Sequence, residues 1–380
     1  MRKKKTKTLA LVYIAVITFF SIILTSCLME EPLKIPFESF TPVYLGDGWE
    51  IAEPSEAGMD CKVLEDVYRY VHKDANLWQI RSLLVFRNNK LVAESYMKNR
   101  NDRNNLHAIW SCTKQVIGIL TGMAIERNLI SLEDKISDFF PNAPSNKKEI
   151  TIENLLMMTS GIDYENSGAR GGDALLSQEV PSSIVDFILD MGMHASVGTT
   201  YRYKNSDPHL LSAIIQQRVG KTTRDWAKEV LFDKIGITRL EWRNYKDGIT
   251  FGGYGISTTP REMGKFGQLI ANNGIWNGEQ IISKNWIDEM TSSKVSADEV
   301  KYFDLTWGYQ WWKEPKRNVF IMMGHGGQLV FINRDKNLVV VMTSEKPDGK
   351  HSLPVNSALS IVDRITGSIT DYFEEIKDIF

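Results

Sequence analysis

Residues 111–127 read SCTKQVIGILTGMAIER, and the prediction of the fold starts from this segment. Its apolar side chains recur at helical spacing, but they are not confined to one stripe. They cover most of the circumference of an α-helix, which is typical of a helix that other elements surround. We therefore predict a central helix that begins at Ser111. Its apolar positions are Val116, Ile117, Ile119, Leu120, Met123 and Ala124.

Strand-like segments lie on both sides of this helix in the sequence. Before it, Ser82–Arg87 and Lys90–Tyr96 flank Asn88-Asn89, a pair that favours a tight hairpin turn. Strands at both ends of a helical middle part predict an α+β architecture, in which one antiparallel sheet is flanked by helices and a helical subdomain is inserted at about residues 130–245. Further strands are predicted at Tyr302–Trp312, Val319–Met323, Gln328–Asn333 and Leu338–Thr343, and further helices at Asp60–His72, Ile152–Met158, Ser183–Met191, Pro208–Arg218, Thr223–Phe232, Pro260–Ala271, Lys284–Thr291 and Ser357–Phe380.

The composition excludes several classes of protein. The chain has 380 residues, of which 43% are apolar and 24% charged, so it can bury a large core. Its formal net charge is −2 and its basic cluster lies at positions 2–7, so we expect no nucleic-acid partner. The histidines lack the spacing of common metal motifs, and no glycine-rich phosphate loop joins a strand to a helix. We therefore expect neither a metal nor a cofactor.

The N-terminus has the character of a targeting segment. Its basic cluster precedes an apolar run at residues 8–24, which is shorter than the ~20 residues that a membrane-spanning helix needs. The sequence LTSC at residues 24–27 resembles a bacterial lipobox, which predicts lipidation of Cys27. The alternative is an uncleaved anchor in which this cysteine is incidental.

This interpretation divides the chain into three parts. We predict a lipoprotein signal peptide at residues 1–26, a proline-containing tether at 27–56 and a catalytic domain at 57–380 on the outer face of the cell membrane. Within the domain, Cys61 and Cys112 could form at most one disulfide. The core must therefore supply the stability.

A serine and a lysine three residues apart provide the first chemical signal. Ser111 and Lys114 would share one face of the central helix, so the amine could accept the proton of the hydroxyl. The N–H groups and the positive dipole at the start of the helix would also stabilise an oxyanion. The same spacing occurs twice where no helix enforces the geometry, at Ser95/Lys98 and Ser145/Lys148.

Two more polar motifs follow along the chain. Tyr203 could act as a base if a cation such as Lys114 stabilised its phenolate, and the Asn205 amide could orient that lysine or the substrate. The alternatives are the similar Tyr164-Glu165-Asn166 and a tyrosine that only packs its ring. Between two predicted strands, His325-Gly326-Gly327 would allow a ligand to approach the backbone closely, unless it is an ordinary turn with a solvent-facing histidine.

The order Ser-x-x-Lys, Tyr-x-Asn, His-Gly-Gly resembles that of the serine β-lactamase and penicillin-recognising superfamily, particularly its class C branch. The resemblance extends over about residues 58–366, and LLMMTSG at 155–161 and GYGISTT at 253–259 resemble connecting segments of that family. It implies a β-lactamase/transpeptidase-like fold.

The resemblance also implies roles for individual residues. Ser111 would be the acylated nucleophile, Lys114 and Tyr203 would share the acid–base work, and Asn205 would position groups. The backbone N–H groups of Ser111 and Gln328 would form the oxyanion hole. Gly326 and Gly327 would belong to the substrate-binding strand, and Arg170 would line the cleft. Four aromatic residues either line the cleft as well or alternate between the core and the surface of a strand: Trp307, Tyr309, Trp311 and Trp312.

One departure from the family pattern concerns the substrate. Many β-lactamases carry lysine where this chain has His325, and a mostly neutral histidine weakens the case for β-lactams. Esters, D-amino-acid peptides and other amides stay open. The acidic deacylating residue of class A enzymes has no recognisable motif here, so Tyr203 and Lys114 would have to activate the deacylating water.

The sequence thus predicts a lipid-anchored serine hydrolase that acts on an amide or ester through an acyl-enzyme. We expect a small-molecule or peptide substrate, attachment to a membrane through the lipid, and a monomer. One alternative is a sensor or binding module of the same fold that is acylated by a cell-wall fragment and does not release it. A catalytically inactive scaffold is the other.

Overall fold

The structure is a computed structural model that describes residues 34–166, 182–301, 303–345 and 352–370. Cys27 and Arg170 lie outside the described residues. The strands are β1 (Glu50–Ile51), β2 (Ile80–Arg87), β3 (Lys90–Tyr96), β4 (His107–Ala108), β5 (Leu240–Trp242), β6 (Ile256–Thr258), β7 (Ile275–Trp276), β8 (Glu279–Gln280), β9 (Thr306–Trp307), β10 (Trp312–Glu314), β11 (Val319–Gly324), β12 (Gln328–Asn333) and β13 (Leu338–Ser344). The α-helices are α1 (Cys61–Lys73), α2 (Cys112–Glu126), α3 (Ile152–Met157), α4 (Ile184–Asp190), α5 (Ser206–Val219), α6 (Thr223–Ala227), α7 (Pro260–Ala271), α8 (Lys284–Thr291), α9 (Ala297–Val300) and α10 (Val355–Thr366).

Strands from both ends of the chain form one large sheet. Its order is β1-β3-β2-β13-β12-β11-β10-β9, and the two sets meet where Val85 of β2 lies opposite Val340 of β13. The predicted α+β fold is confirmed, but the sheet is mixed, because β1 pairs with β3 in parallel. At Asn88 and Asn89 the φ angles are 52° and 68°, which suit the predicted hairpin between β2 and β3.

Both faces of the sheet are buried, which explains why the central strands are apolar along their whole length. On one face, residues such as Val341 and Phe86 join the large core that contains α2 and α7. On the other, Val340 and Val85 pack with α1 and α10. The helix α1 begins at its N-cap Asp60, whose carboxylate accepts the N–H groups of the first turn.

The central helix is confirmed, and it positions the candidate site. All side chains of α2 from Cys112 to Ala124 are buried, as the all-round apolar pattern predicts. Ser111 is not inside the helix but is its N-cap. The helix therefore begins beside the start of β12, where the Cys112 thiol contacts the Gln328 carbonyl.

Three element predictions were wrong in detail. The single strand predicted at Tyr302–Trp312 is interrupted by a turn between β9 and β10, where Gln310 has a φ of 65°. The helix predicted at Thr223–Phe232 becomes a π-helix from Lys228 onward. The last helix begins at Val355 and ends at Thr366, before Gly367, and residues 371–380 lie outside the described ranges.

Two further observations bear on the anchor and the cysteines. Within the described ranges, no helix is long and apolar enough to cross a bilayer. Cys61 and Cys112 are both free thiols, the first exposed and the second buried.

Candidate active site

A cavity of about 870 Å³ opens at the N-terminal end of α2. Its polar groups come mainly from the turn before α2, the segment before α5 and the turn between β11 and β12, and the segments at residues 254, 299–301 and 352–355 complete the wall. Its aromatic lining comprises Trp110, Tyr201, Tyr203, Tyr254 and Trp312. Its aliphatic lining comprises Val300, Met323, Leu329, Leu353 and Val355.

Ser111 is presented to this cavity by a strained turn. The preceding residue, Trp110, has a φ of 50°, in the left-handed region that a bulky side chain rarely adopts. Such a conformation costs about 1–3 kcal/mol and persists only where the surroundings hold it. Here the Trp110 carbonyl accepts hydrogen bonds from the Thr113 N–H (3.0 Å) and hydroxyl (2.8 Å).

Lys114 points towards Ser111 from one turn further along. Its side chain is fully buried, and Nζ lies 3.1 Å from Ser111 Oγ. The same Nζ donates to Asn205 Oδ1 and, at 2.7 Å, to the Gly253 carbonyl. These acceptors explain how a buried amine is tolerated without solvent.

Ser111 and Asn205 share an unusual feature. Each is the N-cap of its helix, α2 and α5 respectively, and neither side chain makes the usual hydrogen bond to the first helical N–H groups. Both side chains instead contact Lys114 Nζ. Two helix starts therefore converge on one amine.

Tyr203 completes the polar group, as the motif order predicts. Its half-buried ring lies beneath the amine, with its centroid 4.9 Å from Lys114 Nζ. The ring stacks on Trp312 at 5.5 Å and meets the edge of Trp307 at 5.6 Å. Aromatic packing thus fixes the phenol next to the amine.

A buried ion pair lies on the other side of the Tyr203–Asn205 segment. Lys204 Nζ is 3.6 Å from Asp207 Oδ2, and both side chains are fully buried. Burial lowers the pKa of Lys204 and raises that of Asp207. The hydroxyls of Ser160 and Ser206 donate to Asp207 Oδ1 at 2.8 and 2.9 Å.

The turn between β11 and β12 forms the opposite wall. His325 is exposed, and its ring meets the edge of Trp110 at 5.6 Å. At Gly327 φ is 91°, and a Cβ there would lie 2.8 Å from Leu353 Cβ, so the position requires glycine. Gln328, the first residue of β12, pairs with Gly324 and accepts a hydrogen bond at its carbonyl from the Cys112 thiol.

The structure brings together most of the predicted site residues. Ser111, Lys114, Tyr203 and Asn205 form a connected group, whereas the position of Arg170 lies outside the described residues. The competing motifs are engaged elsewhere: Ser95 bonds to His72, and Lys98 pairs with Glu345. Tyr164 is fully buried. The four residues of the aromatic run are also almost completely buried: Trp307, Tyr309, Trp311 and Trp312. Of these four, only Trp312 lines the cavity.

Sequence reasoning missed three contributors to the site. Trp110 gave no signal, because nothing in the sequence predicts a positive φ at a tryptophan. Gly253 and Tyr254 were noted only as part of a connecting segment. In the described part of the chain, no group of three or more His, Cys, Asp or Glu side chains could hold a metal ion.

Comparisons with known proteins identify relatives of this chain. The model of the β-lactamase family matches residues 81–360. The chain is 21% identical over 294 residues to the 6-aminohexanoate-dimer hydrolase of Paenarthrobacter ureafaciens, an alignment that covers 71% of this chain and 74% of the relative.

Solved structures share the fold. A family VIII carboxylesterase superposes with a TM-score of 0.65 at 17% identity, over 81% of this chain and 96% of the other. A class C β-lactamase superposes with a TM-score of 0.61 at 15% identity, over 82% and 97%.

Proposed function

The chain belongs to the β-lactamase family, and we propose that it is a serine hydrolase that cleaves an amide or an ester through an acyl-enzyme on Ser111. One observation carries this proposal: the buried Lys114 Nζ lies 3.1 Å from Ser111 Oγ. A base within hydrogen-bond reach of a hydroxyl is the arrangement that nucleophilic catalysis requires. The names of the relatives, which include hydrolases of amides and of esters, support the same class of reaction.

In the first step Ser111 Oγ attacks the carbonyl carbon of the substrate. The hydroxyl proton passes to the neutral amine of Lys114, and the C–O bond forms while the carbonyl oxygen becomes an oxyanion. The backbone N–H groups of Ser111 and Gln328 would donate to that oxyanion. The contact of the Cys112 thiol with the Gln328 carbonyl, at 3.3 Å, supports this pairing because it joins the two backbone segments.

In the second step the oxyanion collapses and the bond to the leaving group breaks. The leaving amine or alcohol receives a proton from the Lys114–Tyr203 pair, which releases the first product. A water then adds to the acyl-enzyme with Lys114 and Tyr203 as base, and the carboxylic acid leaves as Ser111 regains its proton. Since the two groups lie so close together, their titration belongs to the pair.

The cavity favours a substrate with an apolar group. Ten aromatic and aliphatic side chains line its wall, and His325, at the position where many β-lactamases carry lysine, faces the ring of Trp110. A site of this kind binds apolar groups by burial and uses a few polar groups for orientation. We therefore propose an ester or linear amide of an apolar acid as the substrate class, rather than a β-lactam.

The nucleophile is tested by covalent labelling. Incubation with a fluorophosphonate should add one label to the protein, which peptide mass spectrometry should place on Ser111. The Ser111→Ala variant should lose both the label and the turnover of p-nitrophenyl esters, and Ser95→Ala is the matched control that should keep both. Turnover by folded Ser111→Ala would contradict the proposal.

The substrate class is tested by comparing kcat/KM for p-nitrophenyl esters, linear amide dimers, D-alanyl peptides and nitrocefin. Esters or linear amides should be turned over best. Lys114→Ala and Tyr203→Phe should each lower turnover about 100-fold or more, as acid–base roles require. Stoichiometric labelling of Ser111 with no turnover of any substrate would instead favour the alternative function, a sensor or binding module that is acylated and does not release the acyl group.

We further propose that a lipid on Cys27 holds the domain on the outer face of the cell membrane. The support is the order of a basic cluster, an apolar run and LTSC at residues 24–27. Cells grown with an alkyne fatty acid should label the wild-type chain and not Cys27→Ser. Equal labelling of the two would contradict the proposal, and Cys61→Ser is the control that should keep the label.

A further inference from the structure

His209 lies one helical turn after Asn205 and is 1% exposed. Its ring faces the segment at residues 251–254, where it meets the rings of Phe251 and Tyr254 edge to face at 5.8 and 5.6 Å. It is not part of the cavity wall. A buried histidine of this kind needs a hydrogen-bond partner or a neutral ring.

The ring accepts hydrogen bonds from two consecutive glycines. The Gly252 N–H donates to Nδ1 at 3.0 Å, and the Gly253 N–H donates to the same atom at 3.4 Å. An atom that accepts N–H bonds carries no proton, so the neutral ring must hold its proton on Nε2. Among the described residues, Nε2 has no hydrogen-bond partner, so nothing there would favour a charged ring.

The Gly253 carbonyl, on the same residue, contacts the reacting lysine. It accepts from Lys114 Nζ at 2.7 Å. The segment is also pressed against the start of α5, because a Cβ on Gly253 would lie 2.9 Å from Asn205 Oδ1. The N–H group of Gly253 is thus bound by His209, while its carbonyl group binds Lys114.

We propose that His209 is a positioning residue for Lys114, which it orients by fixing the Gly253 carbonyl through the two glycine N–H groups. This inference rests on the proposed function, in which Lys114 is the base. A buried side chain outside the cavity would thus help to direct the transfer of the proton from Ser111 to Lys114.

The role follows from the hydrogens of the amine. A neutral amine has two N–H bonds and one lone pair, whereas an ammonium has three N–H bonds. If two N–H bonds stay with Asn205 Oδ1 and the Gly253 carbonyl, the lone pair is directed at Ser111 Oγ. A displaced Gly253 carbonyl would leave the lone pair free to turn away from the nucleophile.

Burial and one nearby positive charge keep the ring in its neutral, accepting form. Burial, and then the positive charge of Lys114, lower the pKa of His209 to about 3. A protonated ring would repel Lys114 and could not accept the glycine N–H groups. The arrangement therefore works only with a neutral imidazole.

The plain alternative is a histidine that only fills space in the core. Two variants of similar size separate the two cases. The amide oxygen of Asn in His209→Asn can take the place of Nδ1 as acceptor, whereas the side chain of Leu in His209→Leu fills the space without an acceptor. The matched control is His72→Leu, which removes a second histidine whose pKa is lowered; this one is partly buried and lies far from His209 in the sequence, in α1.

The kinetic test measures kcat/KM for an activated ester across the pH range, with the active sites of each variant counted by fluorophosphonate labelling. His209→Leu should lose about 30-fold or more in kcat/KM, and the acidic limb of its profile should shift to lower pH, because loss of an acceptor destabilises the ammonium form. His209→Asn should recover most of both, and His72→Leu should match the wild type. A wild-type profile for His209→Leu, or equal defects in His209→Leu and His209→Asn, would overturn the proposal.

A second readout needs neither activity nor a folded variant. Imidazole ¹⁵N spectra of the wild-type protein should show His209 as the neutral Nε2–H form from about pH 8 down to about pH 4. A proton on Nδ1, or titration near the ordinary pKa of histidine, would overturn the positioning role. If labelling instead fails to reach Ser111 at all, the proposed function fails, whatever the spectra show.

Discussion

The thiol of Cys112 lies 3.3 Å from the carbonyl oxygen of Gln328 and so joins the start of α2 to the start of β12. The residue before Cys112 is the proposed nucleophile, and the N–H group of Gln328 is a proposed oxyanion donor. A small buried side chain therefore sets the spacing between the two halves of the site. Ser111 and Gln328 are far apart in the sequence, and only the resemblance to a family paired them.

The same contact predicts an unreactive thiol at Cys112. Burial raises the pKa of this thiol, and Cys112 is inaccessible, whereas Cys61 is exposed. Iodoacetamide should therefore alkylate Cys61 and leave Cys112 intact in the folded protein, and both should react in urea. Peptide mass spectrometry gives the extent at each site. Alkylation of Cys112 at the rate of Cys61 under native conditions would refute the burial described here.

A methyl group at residue 253 should disturb the site directly. In Gly253→Ala the new Cβ would lie 2.9 Å from Asn205 Cβ and Oδ1, so Asn205 must move away from Lys114. We expect kcat to fall about 10-fold or more. In the matched control, Gly192→Ala, the nearest atom is Asp163 Cβ at 3.9 Å, and activity should be unchanged. Equal activity of the two variants would show that Asn205 tolerates displacement.

The buried pair of Lys204 and Asp207 predicts a strongly non-additive effect on stability. Lys204→Met leaves Asp207 buried without its cation, and the free energy of unfolding should fall by about 3–5 kcal/mol. The double variant Lys204→Met/Asp207→Asn removes both charges and should recover at least half of that loss. Urea denaturation of the three proteins measures both quantities. Additive losses in the double variant would mean that the pair is not coupled.

His209 also predicts how stability depends on pH. Its folded pKa of about 3 lies below the ordinary value of 6.5, so the unfolded state binds the proton more tightly. Stability is therefore lost as pH falls below about 6.5, by up to about 1.4 kcal/mol per pH unit for this group. Between pH 6 and pH 4 the wild type should lose about 2 kcal/mol more than His209→Asn. Chemical denaturation at the two pH values measures this, and parallel losses would refute it.

The sequence carried enough information for most of the fold. The all-round apolar pattern of residues 111–127 predicted the buried α2, and the apolar runs at both ends of the chain predicted strands that share a sheet. The ordered motifs identified the family, which the match over residues 81–360 confirms. These signals are local in sequence or are repeated along it, so they can be read without coordinates.

The features that the sequence did not predict depend on contacts between distant segments. The pairing of β1 with β3 in parallel involves two residues of β1, too few for any pattern. The role of Gly253 rests on a backbone carbonyl, which no residue type reveals. The positive φ of Trp110 is imposed by its surroundings against its own preference. The catalytic roles of Ser111, Lys114 and Tyr203 stay predictions until labelling and kinetics test them, as do the lipid on Cys27 and the monomeric state.

The absence of side-chain capping hydrogen bonds at Ser111 and Asn205, the N-caps of α2 and α5, has a consequence for protein engineering. Neither Ser111 nor Asn205 uses its side chain to cap its helix, so neither residue supplies the ~1 kcal/mol that such a cap contributes. A library scored only for survival on heating would therefore place no value on these two residues and would accumulate folded but inactive proteins. Directed evolution of this chain needs a turnover assay in every round.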